Sequence, residues 1–192
     1  NIAFLFLKKK YTTLTDEQLM ERITKGNEKA FEELYQRYAD KLYRYFYRML
    51  AQNTAKANDF TQDLFMKIVE KPHYSDTNRR FSTWIYTIAG NMCKNEYRRL
   101  SKFTMTHEVP EMELPENLGY FKDNLDQRLF NQYLQKALNE LDEIPRQCFI
   151  LRYQEEKSIK EISAIMGCPE GTVKSRLYYT IKKLSQKLKV FQ

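Results

Sequence analysis

The densest chemistry in the 192-residue chain lies near its C-terminal end. Lys174, Ser175 and Arg176 stand side by side there, followed by Tyr178, Tyr179 and Lys182. Residues 158–190 carry seven Lys or Arg against two Glu. Such a set suits a polyanion. Arg can form two parallel bonds to guanine, while Lys and Ser suit phosphates or base edges. The bland alternative is an amphipathic helix with a solvated basic face. What separates the two readings is the stretch that must position these side chains.

That stretch is specific. Ser158 and Glu161 form a capping box, the glutamate reaching back to the Ser158 amide. Ile159, Ile162, Ile165 and Met166 then make one apolar face. Ser163 is small where a second helix must cross closely, and Gly167 can take the positive φ that ends the first helix. Cys168 and Pro169 open the next helix, which Val173 and Leu177 pin to the core. A short helix, a glycine turn and a second helix at this spacing form the helix-turn-helix pattern, so DNA reading is favoured over a solvated face. The pattern leaves open whether one of Tyr178 and Tyr179 packs inward.

A second constellation lies upstream. Asn91, Lys94, Asn95 and Arg98 fall at steps of zero, three, four and seven, opposite Ile85, Ile88 and Met92. Amides and cations on one face suit an exposed base and its phosphates once the base has left the duplex stack. The preceding loop adds Tyr74, Ser75, Asn78 and Arg79, types used to hold single strands. Trp84 is read as core. A third polar set, Asp59, Gln62, Asp63 and Lys67, lines one side of another helix; taken alone it is a solvated face.

Catalytic chemistry finds no footing. Cys93, Cys148 and Cys168 are odd in number and widely spaced, and the histidines are His73 and His107. Neither a zinc site nor a disulfide framework is expected, and a reduced cytosol is the natural setting. The cysteines read as small apolar fillers. No phosphate-binding glycine loop and no paired acids outside the linker occur, so no metal, cofactor or small-molecule substrate is expected. The net charge of +7 points to nucleic acid or an anionic surface.

Only 5 Gly and 5 Pro occur, too few for many tight turns, so the elements must be helical. Thr15 with Gln18 caps a first helix bearing Leu19, Met20 and Ile23. Phe31, Leu34, Tyr35, Tyr38, Leu42, Phe46 and Met49 mark a second. Phe60, Leu64, Phe65, Ile68 and Val69 point inward from a third, and Trp84, Ile85, Ile88, Ala89 and Met92 from a fourth. Residues 103–124 are acidic in a basic chain, and Pro110 and Pro115 forbid a continuous helix there. Leu125, Leu129, Tyr133, Leu134, Ala137, Leu138 and Leu141 then resume a helical stripe. Pro145 starts another helix that buries Cys148, Phe149 and Leu151. The expected organisation is all-α: an arm at 1–14, a helical domain at 15–102, an acidic flexible linker at 103–124 and a helix-turn-helix domain at 125–192. The apolar run Ile2 to Leu7 is too short to span a bilayer and precedes its lysines, the wrong order for a signal peptide.

Several runs resemble one family. Pro169-Glu170-Gly171-Thr172-Val173-Lys174-Ser175-Arg176-Leu177 is similar to the recognition-helix signature of the extracytoplasmic-function (ECF) group of bacterial RNA polymerase sigma factors. Asp59-Phe60-Thr61-Gln62-Asp63-Leu64-Phe65 resembles the helix by which that group grips the clamp helices of the polymerase largest subunit. Phe81 to Asn91 resembles the helix that reads the minus-ten element. Asp63 and Ser163 stand where Glu and Ala are commoner. The resemblance implies two regions that dock on core RNA polymerase and promoter DNA, with minus-thirty-five readout by Lys174, Ser175, Arg176, Tyr178, Tyr179 and Lys182. It implies minus-ten strand contacts by Asn91, Asn95, Arg98, Lys94 and Tyr74, and polymerase contacts by Asp59, Gln62, Asp63 and Lys67.

The resemblance also implies an anti-sigma factor as partner and a cytoplasmic location, at the inner membrane where that partner is membrane-bound. Two rivals explain less. An operator-binding regulator accounts for the helix-turn-helix but not the N-terminal half, and an enzyme acting on nucleic acid lacks the carboxylate or nucleophile cluster it needs.

Overall fold

Short polar caps start the helices, and their apolar stripes then decide how they pack. In the computed structural model, residues 11–71, 80–104 and 124–188 are described, and among them the chain forms eight α-helices and no strand. Helix α1 spans Asp16–Ile23, α2 Glu28–Met49, α3 Thr54–Glu70 and α4 Phe81–Thr104. The C-terminal half holds α5, Asn124–Asn139, α6, Glu143–Tyr153, α7, Ile159–Met166, and α8, Glu170–Lys187. The arm at 1–10 and residues 105–123 of the expected linker lie outside the described residues.

Thr15 Oγ1 accepts from the Gln18 amide at 3.2 Å, and Gln18 Oε1 accepts from the Thr15 amide at 3.0 Å. Asn27 and Asn53 cap α2 and α3 in the same way, each accepting at 2.9 Å from the amide three residues on. These bonds satisfy N–H groups that have no partner inside the helix.

The long α2 is the spine of the N-terminal half. Leu34, Leu42, Tyr45, Phe46 and Met49 are fully buried on it, and Leu64, Ile68, Ile85 and Ala89 meet them from α3 and α4. Aromatic edges knit the elements: Tyr45 against Tyr86, Tyr38 against Phe81 and Phe46 against Phe60, with ring centres 5.4, 5.1 and 5.5 Å apart. Each such side chain contributes about 1.5–3 kcal/mol on burial. Arg37 ties the entry of the chain to α2, bonding Asp16, Glu33 and the carbonyls of Tyr11, Thr12 and Leu14.

Ile150, Leu151, Ile162 and Val173 of the C-terminal half belong to the same continuous core. A smaller cluster of Ala137, Leu138, Leu141 and Leu184 joins α5 to the end of α8, where Lys187 and Glu140 pair. Helices α6 and α7 therefore rest directly on α2 and α4. Gln147 donates to Tyr45 Oη at 3.1 Å, Tyr86 Oη donates to Glu155 at 2.5 Å, and Arg48 pairs with Glu155 at 3.3 Å. Buried Arg146 donates to the carbonyls of Met49, Asn139 and Leu141 and to Tyr97 Oη.

Four expectations need correction. Tyr35 is 42% and Val69 50% exposed. A helix turns about 100° per residue, which carries Val69 off the face that buries Leu64, Phe65 and Ile68. Tyr35 lies at the border of its stripe, with its ring centre 4.6 Å from that of Phe65. Trp84 is half-buried beside Phe81 rather than enclosed. Helix α6 starts at Glu143, so Pro145 sits within its first turn rather than at its start. No helix among the described residues is long and apolar enough to cross a membrane.

Candidate nucleic-acid interface

The C-terminal helix-turn-helix is built by local bonds. The Glu161 amide donates to Ser158 Oγ at 3.2 Å and the Ser158 amide to Glu161 at 2.9 Å, closing the capping box. Ser158 Oγ also donates to the Glu161 carboxylate at 2.7 Å, and this bond, with the one from the Ser158 amide, holds that carboxyl below the usual range. Gly167 ends α7 at φ 61°, ψ 39°, in the left-handed region that disfavours a side chain. The Cys168 amide donates to Ser163 O at 3.2 Å, and Ser163 Oγ donates to Cys168 O at 2.6 Å. Ser163 is thus more than a small residue at a crossing: its hydroxyl fixes the turn.

Val173, Leu177, Thr180 and Leu184 bury the inner face of α8. The outer face carries Lys174, Ser175 and Lys182, all exposed, with Tyr178 at 63% and Tyr179 at 67% exposure. Both tyrosines point outward, which resolves the alternative left by the sequence. Ser175 Oγ donates to Gly171 O at 3.0 Å, so its free capacity is as an acceptor. Arg176 differs from expectation. It is half-buried, and Nη1 donates to Cys168 Sγ at 3.3 Å, so it lies at the edge of the face. Cys168 is accordingly a partner of Arg176 as well as a filler, whereas Cys93 and Cys148 are buried.

On α4, Asn91, Lys94, Asn95 and Arg98 are all exposed and share one face. The opposite side buries Ile85, Tyr86, Ala89 and Cys93. Lys94 and Arg98 also act electrostatically on Glu143 at the start of α6, although burial dominates and raises that carboxyl. Glu96 holds α4 to α3. Arg99 donates to it at 2.8 and 2.9 Å and Lys56 at 2.6 Å, and these bonds bring its pKa down to about 2. Glu155 shows the reverse: burial raises it despite Tyr86, Arg48 and Lys157. Tyr74 lies outside the described residues.

Asp59, Gln62, Asp63 and Lys67 are exposed on α3. Beside them stand Met66 at 56% and Val69 at 50% exposure. Sequence reasoning missed this apolar component. The signal was present: 59, 62, 66 and 69 recur at three and four, a second stripe off the core stripe. A mixed polar and apolar face suits a protein surface better than a phosphate backbone. Among the described residues no group of three His, Cys, Asp or Glu could hold a metal ion.

Residues 34–103 match the family description "Sigma-70 region 2", and residues 131–184 match "Sigma-70, region 4". The chain is 31% identical to the ECF RNA polymerase sigma factor SigW of Bacillus subtilis, over 88% of this chain and 95% of that one. It is also 31% identical to the ECF RNA polymerase sigma-E factor of Escherichia coli, over 91% of this chain and 95% of that one. Among solved structures, the sigma factor RpoE of Bartonella quintana in complex with the anti-sigma factor NepR superposes with a TM-score of 0.67 at 25% identity, covering 85% of this chain and 99% of that one. CnrH in complex with the cytosolic domain of CnrY gives 0.68 at 23%, covering 91% and 97%, a likeness of fold. With both matched regions in order along one all-helical chain, this protein belongs to the ECF sigma factors of bacterial RNA polymerase.

Proposed function

We propose that residues 15–102 act as region 2 and residues 125–192 as region 4, with 103–124 as an acidic tether and 1–14 as an arm. As an ECF sigma factor the chain directs promoter-specific transcription initiation by RNA polymerase. The residue roles are our reading. Helix α8 offers Lys174, Ser175, Tyr178, Tyr179 and Lys182 to duplex DNA at the minus-thirty-five element, with Arg176 at the edge. Helix α4 offers Asn91, Lys94, Asn95 and Arg98 to the opened minus-ten strand, with Tyr74 from the preceding loop. The exposed side of α3, Asp59, Gln62, Asp63 and Lys67 with Met66 and Val69, takes the clamp helices of the polymerase largest subunit.

One observation carries the reading: two exposed faces of different chemistry sit on different helices. The α8 face is cationic and aromatic behind a helix-turn-helix, and the α4 face pairs amides with cations. An amide presents both a donor and an acceptor and can bond one base edge with direction. The chain then has no reaction of its own and resides in the cytoplasm. An anti-sigma factor, as in the Bartonella complex, is its inhibitory partner.

The test is run-off transcription with core polymerase, with permanganate footprinting of the opened strand. Asn91→Ala is expected to impair opening of duplex promoters more than closed-complex binding, with holoenzyme assembly intact. Asp63→Lys is expected to impair assembly. Normal opening by Asn91→Ala places strand capture elsewhere, and normal assembly by Asp63→Lys makes the α3 face merely solvated.

A further inference from the structure

Arg176 lies on the border of the buried stripe of α8, flanked by buried Val173 and Thr180 and by exposed Tyr179. It stands six residues beyond Glu170, the first residue of the helix, or about 9 Å along the axis. Its guanidinium does not stay at that level. Helical side chains lean back toward the N-terminus, and Nη1 meets Cys168 Sγ, two residues ahead of the helix, at 3.3 Å. A second sulfur lies near: burial raises the Cys148 thiol to about 11, and the Arg176 charge acts against that rise.

Cys168 is a fixed anchor. Gly167 before it is left-handed, and Pro169 after it sits at φ -57°. Its amide donates to Ser163 O at 3.2 Å, and its carbonyl accepts from Ser163 Oγ at 2.6 Å. The sulfur is thus placed by backbone bonded on both sides, and it transmits that placement to the guanidinium.

For the helix alone this position is unfavourable. A helix N-terminus carries a partial positive charge and repels a cation. Among the described residues, the bond to Cys168 is the one the Arg176 guanidinium makes, and no carboxylate offsets its charge. Sulfur is a weak acceptor, so it sets direction without matching the charge, and the other N–H donors remain for a partner. In a helix-turn-helix the N-terminal residues of the second helix meet the base edges. Arg there can give two parallel bonds to guanine. The contact with Cys168 therefore delivers a side chain from the second turn of α8 to the end that enters the groove.

We propose that Cys168 is a positioning residue: its sulfur holds the Arg176 guanidinium at the leading end of α8, where it reads a guanine in the minus-thirty-five element. The proposal rests on the reading of α8 given above. A guanidinium already aimed loses less freedom on binding, and a preset direction favours one base over the others.

The test is base preference, measured with holoenzyme made from the full chain and core polymerase. Binding is scored on promoters carrying each base pair in turn at every minus-thirty-five position, over a salt series. Arg176→Ala is expected to lose about tenfold of discrimination at one guanine-containing pair. Cys168→Ala is expected to relax the same pair by about threefold, with the salt slope kept because the cation remains. Cys168→Ser keeps an acceptor and is expected to restore most of the preference. Cys168→Asp is expected to pair with Arg176, weakening the preference and lowering the salt slope by about one. In the Arg176→Ala background, Cys168→Ala is expected to change nothing further at that pair. A merely structural Cys168 gives equal losses at every position, or an effect that survives without Arg176. Either result overturns the proposal, as does an unchanged preference in Cys168→Ala. Helical content is followed by circular dichroism. Should Cys168→Ala lose it, the Ser and Asp variants decide: opposite effects on the preference support the proposal, and equal effects overturn it. Failure of the underlying reading looks different. Arg176→Ala then leaves the preference intact at every pair, which removes the reading of Arg176 and the proposal with it. Failure of the proposal alone keeps the Arg176→Ala loss and removes that of Cys168→Ala.

Discussion

Helices α4 and α8 both carry exposed rows that we propose read DNA, yet they are held in opposite ways. Helix α8 is oriented by neighbours in sequence: the Ser158–Glu161 box, the left-handed Gly167 and the Ser163–Cys168 bond all lie within about three turns of its start. Helix α4 is oriented from afar, by Tyr45 and Phe46 of α2, Lys56 of α3 and Arg146, Gln147 and Glu155 of α6 and the loop after it. The difference teaches that the same task, presenting a polar face, is met by a rigid local turn in one region and by collective packing in the other. Damage to a single local contact should tilt α8 alone, whereas damage to the α4 supports should spread through the fold.

The largest expected effect breaks the collective side. Ile85 is fully buried, and Ile85→Ala leaves a cavity and removes about 3 kcal/mol of unfolding free energy, read by chemical denaturation followed by circular dichroism. Next comes the local side. Gly167→Val forces a β-branched side chain into φ 61°, costing about 2 kcal/mol. Binding of duplex minus-thirty-five DNA should fall more than polymerase binding does; equal losses of both would mean the turn is not local. Ser158→Ala removes the cap of α7 and should cost about 1 kcal/mol, detected as faster amide exchange in α7 before any change in α4.

The smallest effect is a matter of acid. Glu96 has a depressed pKa, first through Arg99 and then through Lys56, so its contribution is fully present above the unfolded value near 4.5 and is lost as pH falls toward about 2. Because Arg99 is largely exposed and screened, the loss between pH 5 and pH 3 should be under about 1 kcal/mol. Glu96→Gln should flatten the pH dependence of stability in that window; an unchanged slope assigns the acid sensitivity to other carboxylates.

What was legible in the sequence follows the same division. The helix-turn-helix could be read almost bond by bond, because caps, glycine turns and short apolar periods act over a few residues. The exposed row on α4 was also legible from spacing. Its supports were not, since Arg146, Gln147 and Glu155 look like ordinary polar residues until α6 meets α2 and α4 across more than forty residues of sequence. Tyr35 and Val69 were read as core because periodicity gives the direction of a stripe but not its width. The exposed Met66 and Val69 needed the fold to reveal that, among the described residues, no neighbouring helix covers them.

Arg146 places a positive charge where two helices end. Its guanidinium meets the carbonyl of Met49, the last residue of α2, and those of Asn139 and Leu141 at the close of α5. The C-terminal end of a helix carries a partial negative charge from its aligned peptide dipoles, and a cation there is favourable. One side chain thus neutralises two dipoles, one in each region. The two helix ends are thereby held against one another by a single guanidinium that is itself buried.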